Sequence, residues 1–168
     1  MKKLIQLSTI LSWFNLLVSG LFIALAMLAG SFMVGFGNVL VIVVLMGSIT
    51  LHSYAALQLR KSLLRPSIPL GKQTGTGIRF MGYIALFLAF MYGSSAFYMI
   101  QHSKEFIEQV QMPAEYKNLD LSGTFKKTGI FILIFSLSVL INVILNFRLY
   151  RLYQILYMQK DISNEEED

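Results

Sequence analysis

His52, Asn15, Asn142 and Asn146 are the residues of this sequence best placed to do chemistry, because each stands inside a long apolar run. An imidazole there can ligate a metal or haem, or pass a proton. A carboxamide can hold a polar solute or a neighbouring helix. His102, the other histidine, closes the third apolar run. At 1.5 Å per residue His52 lies about 22 Å below the outer end of its run, so the two imidazoles differ by about 20 Å in depth. They are not the axial pair of one haem, and no His/Asp/Glu cluster has catalytic metal spacing. His52 reads as a neutral, hydrogen-bonded bundle residue and His102 as an interfacial one. No metal and no cofactor is expected.

Catalysis finds little else to work with. The chain has no cysteine, which removes the thiolate nucleophile, the Cys-ligated zinc and the iron–sulfur cluster together. All nine Asp and Glu lie between Glu105 and Asp120 or in the tail from Asp161, outside the apolar runs. Proton relays and cation pathways are usually marked by intramembrane acids. Ser, His and Asp form no recognisable catalytic motif. The segment GKQTGTG (71–77) has the wrong spacing for a phosphate-binding loop and reads as a flexible connection. The expectation is a protein that is not an enzyme.

A coincidence of depth is more informative. Asn15, His52 and Asn142 each lie about 21–22 Å from the outer ends of their runs. They are expected to form one polar layer. Ser138, Asn142 and Asn146 recur every four residues on one face, and Ser48, His52 and Ala56 do the same. The bland reading is interhelical glue, at about 0.6–2 kcal/mol per hydrogen bond. The functional reading is a small polar site open to the cytoplasm, as in a small-solute transporter or channel.

Two further sets of residues stand out by spacing. Ala85, Ala89 and Gly93 in the third run, and Gly20 with Ala24 in the first, are small-xxx-small patterns expected to let helices pack closely. Tyr150, Tyr153 and Tyr157 share a helical face beyond the fourth run, beside Arg148 and Arg151. They read either as an aromatic belt or as a face that docks a partner.

The elements that must position these residues follow from composition. Of 168 residues 55% are hydrophobic and only 14% charged, with a mean hydropathy of +0.62. Soluble domains run near 25% charged. Four apolar runs of about 20 or more residues predict an all-α, polytopic membrane protein: a four-helix bundle running up-down-up-down. The expected helices are 4–29, 38–64, 78–101 and 123–158, in one domain over 1–158. An outer interfacial helix is expected over 103–112 and a flexible acidic tail over 159–168. Met1 to Ala26 imitates a secretory signal, but its apolar stretch is longer than a signal core and reads as the first spanning helix.

Of the 14 Lys and Arg, ten fall on the side of the two termini and four on the other, all five arginines among the ten. The positive-inside rule then expects both termini inside a bacterial inner (plasma) membrane. The net charge of +5 has the same cause and predicts no nucleic-acid partner. The expected partners are the lipid bilayer, other membrane subunits or a second copy of the chain. The expected role is structural or accessory.

Overall fold

The computed structural model describes residues 2–29, 36–65, 67–105 and 121–165. Four long helices carry the architecture: α1 (Lys2–Ala29), α2 (Phe36–Leu64), α3 (Lys72–Gln101) and α4 (Ser122–Glu165). Among the described residues there is no strand. A helix satisfies its own backbone, which hydrocarbon cannot do for it. Each of the four is long and apolar enough to cross a membrane, so the chain reads as an integral membrane protein. Successive helices pack antiparallel in a ring, and α4 also reaches across it to α2. α4 is the most buried of the four.

Charge and aromatic residues mark where the hydrocarbon begins and ends. On α4 the exposed Lys127 and Arg148 are separated by about 31 Å of helix, and on α3 Arg79 and His102 by about 34 Å. Both match a hydrocarbon core of about 30 Å. Exposed Trp13, Tyr54 and Tyr83 accompany the arginines at the end that carries Lys2, here the terminal end. That composition is an interfacial belt. The helices continue past it, and Ile5, Ala55, Leu59, Ile78 and Leu149 form a second core there. The main core lies deeper, around Ile49, Ala85, Leu88, Ala89, Phe135, Val139 and Val143.

Two expectations about the elements are corrected. α3 begins at Lys72, not at 78, so most of GKQTGTG is helix rather than flexible loop. Gly71 is the extended N-cap, and its carbonyl accepts from the amides of Thr74 and Gly75. Packing favours this: a Cβ at Gly75 would lie 2.5 Å from Tyr150 Oη, so glycine lets α3 start against that ring without displacing it. Likewise α4 runs on to Glu165, through most of the segment expected to be a flexible tail. That segment holds neither Gly nor Pro, so nothing in it stops a helix already 30 residues long by about residue 151. Of the expected interfacial helix, residues 103–105 are helical and the rest lies outside the described residues.

Candidate functional site: a buried polar seam

The α1 sequence places Ser8, Ser12, Asn15 and Ser19 at intervals of four, three and four, which is one helical face. α4 contributes Ser138, Asn142 and Asn146, and α2 contributes His52 and Ser53. All of these are buried. Asn15, His52 and Asn142 are each 1% exposed and Asn146 is fully enclosed, inside a molecule whose outer surface is apolar. Buried polar groups in such a place must find each other.

They form a hydrogen-bonded seam. Ser8 Oγ donates to Asn146 Oδ1 at 2.6 Å and Ser12 Oγ to Asn142 Oδ1 at 3.0 Å. Ser138 Oγ donates to Asn15 Oδ1 at 2.8 Å. Asn146 Nδ2 donates to Asn142 Oδ1 at 3.2 Å and lies 3.3 Å from His52 Nε2. Ser19 Oγ and Thr50 Oγ1 meet at 2.7 Å, where α1 crosses α2. Asn146 therefore joins α1, α2 and α4 at one point. Ser48, read from sequence as part of the α2 row, turns back to the Leu45 carbonyl instead.

Not every donor is used. Asn15 Nδ2, Asn142 Nδ2 and Ser53 Oγ are buried and meet no hydrogen-bond partner. His52 is clamped on its far side by α3, where the Ile78 backbone faces the ring. A Cβ at Gly82 would come within 3.1 Å of His52 Cε1 and 2.6 Å of Phe147 Cε1. Glycine at 82 is thus what lets α3 close over the imidazole.

The small residues divide. Ala85, Ala89 and Ala96 are buried, and Ser136 Oγ on α4 donates to the Ala89 carbonyl at 2.5 Å. A Cβ at Gly93 would sit 2.9 Å from the same Ser136 Oγ. The α3 stripe is therefore spent inside the bundle, on α4. Gly20 and Ala24 behave otherwise. Ala24 is exposed, and a Cβ at Gly20 would meet nothing within 4 Å. They lie beside the exposed Leu17, Leu21, Leu25 and Leu28, because the polar row of α1 takes the inward face.

The tyrosine face is also corrected. Tyr153 Oη accepts from the Leu70 amide at 2.9 Å, holding the connection between α2 and α3. Tyr150 packs on the terminal core, and Arg79 stacks over its ring at 5.0 Å while donating to Gln154 Oε1. Two of the three rings thus serve the chain's own fold, since the α2–α3 connection folds back onto them. Tyr157 lies outside the described side chains. His102 stacks on Tyr98 and lies 3.1 Å from Glu105 Oε2 at the loop end, far from the seam.

One face was missed in the sequence. Phe80, Tyr83, Phe87, Phe90 and Phe97 are all more than half exposed and run along the outside of α3. The spacing from 80 to 90 is three, four and three, and 97 continues the same seven-residue period. That period was legible, but apolar residues in a spanning helix drew attention only to length. Between this ridge and α4 lies a groove of about 420 Å³, lined by Phe90, Gly93, Ser94, Phe97, Leu137 and neighbours. No family model, no curated protein and no solved structure matches this chain.

Proposed function

We propose that this chain is a non-catalytic, structural or accessory subunit that packs against another transmembrane helix through the outer face of α3. The observation that carries this reading is the exposed aromatic ridge Phe80, Tyr83, Phe87, Phe90 and Phe97. Lipid-facing helices need only be apolar, and α1 meets that need with leucines. A ridge of large rigid rings at a seven-residue period, beside a groove, is the pattern that seats a second helix. Both termini lie inside, in a bacterial inner membrane, in keeping with the arginine bias.

The chain has no cysteine, so single cysteines report cleanly. Phe87→Cys and, as a control, Leu21→Cys are placed in the protein in its native membrane and treated with a thiol cross-linker. A discrete higher-mass product from position 87 and none from position 21 is the expected result. Equal products from both positions, or none from either, would overturn the reading.

The spare donors of Asn15, Asn142 and Ser53 favour a second reading, passage of a small polar solute. Under it, purified protein in vesicles raises glycerol or urea flux and Asn142→Leu removes the increase. Flux equal to that of empty vesicles would end it.

A further inference from the structure

A groove of about 360 Å³ opens at the terminal end of the α1–α2 hairpin, lined by Trp13, Leu57, Arg60, Lys61, Leu64 and Arg65. Three of those residues are cations and none is an acid. Among the described residues the ion pair found is His102–Glu105, at the other end of the molecule, and none involves these three cations. Arg60 Nε is shielded from solvent and meets no partner. Lys61 and Arg65 are exposed at the mouth, and Trp13 is 52% exposed deeper along the groove.

The chemistry changes along its length in one direction. Arg60 and Lys61 lie about 9–10 Å beyond Tyr54 of the interfacial belt, on its headgroup side. Trp13 and Leu57 lie nearer that edge, beside acyl chain and glycerol. One cation near the end of α2 would suffice to complement the helix dipole. Three, with an amphipathic wall leading into the bilayer, suit a larger anion. From this we infer that the α1–α2 groove is a binding site for an anionic phospholipid. Its phosphate is held by Arg60, Lys61 and Arg65, and its glycerol and first methylenes lie along Trp13 and Leu57. A free phosphate would use the cations but not the apolar wall. A zwitterionic lipid would bring a choline or ammonium against three positive charges.

Trp13 is the single tryptophan of the chain and lines the site, so its fluorescence reports occupancy directly. The full-length protein is reconstituted in phosphatidylcholine vesicles containing a minor fraction of either brominated phosphatidylglycerol or brominated phosphatidylcholine. Brominated phosphatidylglycerol is expected to quench Trp13 well beyond its bulk fraction, and the brominated choline lipid only in proportion to it. Each of Lys61→Gln and Arg65→Gln should weaken the preference about fivefold, and the triple R60Q/K61Q/R65Q about a hundredfold. K126Q/K127Q, at the opposite end, should leave it intact. Equal quenching by the two lipids would overturn the site. So would reversal of the preference by millimolar inorganic phosphate, which would show that a free anion suffices. If the triple variant does not fold, the two exposed single variants decide, and an unchanged preference in both refutes the proposal.

Discussion

The two seams that meet on α4 are built on different principles. Toward α1 and α2, α4 presents Ser138, Asn142 and Asn146, and the helices are joined by side-chain hydrogen bonds over four contacts. Toward α3 it presents Ser136 to Ala89 and Gly93, and the helices are joined by close approach. In a bilayer the second device draws on dispersion, because lipid tails are as apolar as the side chains they replace. The first is directional: a shift of one residue would leave several amides facing hydrocarbon. The polar seam therefore fixes register, and the small-residue seam fixes distance. Joining both to one helix lets α4 organise the bundle.

The comparison breaks most readily on the α3 side. Gly82→Val and Gly93→Val each insert a branched side chain where the Cβ alone already collides, at 2.6 Å from Phe147 and 2.9 Å from Ser136. Each should cost about 2–3 kcal/mol, since the packed side chains it meets must leave their places to admit it. Thermal unfolding in mild detergent measures it. Gly20→Val is the matched control, with nothing within 4 Å of the site, and should be near neutral.

Asn146→Leu tests the polar side. It conserves volume but strands Ser8 and His52 together and removes one of the two donors to Asn142 Oδ1, and should cost about 2 kcal/mol in the same assay. A neutral effect would show that the seam does not hold the helices. Tyr153→Phe keeps the ring and removes the acceptor for the Leu70 amide, an effect of about 1 kcal/mol. Its clearest readout is local: hydrogen exchange should rise at Leu70 while α1 is unchanged. Smallest is the coupling between Ser12 and Asn142, about 0.6 kcal/mol in a double-mutant cycle of Ser12→Ala and Asn142→Leu. Additive behaviour would reduce the seam to packing.

How far the sequence foretold this depends on the kind of physics involved. The layer of Asn15, His52 and Asn142 was visible as equal depth, because rise per residue is fixed in a helix. That Asn146 would be its junction was not, because a row of polar residues does not say which neighbours meet it. The serines of α1 carry no such signal: Ser is common and its partners are not written in its own helix. Tyr150 and Tyr153 were assigned outward because their helix passes the hydrocarbon edge. They turn inward because a connection rich in Pro and Gly folds back to cover them.

What the sequence by itself determined is the number of helices, that each is long enough to span a bilayer, and their all-α nature. Each follows from continuous apolar runs and from a solvent that cannot hydrogen-bond a backbone. The same local logic fixed the basic and aromatic residues at the ends of the runs. Only the tertiary structure decided which face of each helix is inside. Gly20 and Gly93 carry the same local pattern and take opposite fates, since α1 already commits its inward face to Ser12, Asn15 and Ser19. The start of α3 at Lys72 and the clamp of Gly82 over His52 were decided in the same way, by what another helix brought within 3 Å or so of a missing side chain. Proximity of that kind has no period in the sequence; it exists only once the four helices have chosen their neighbours.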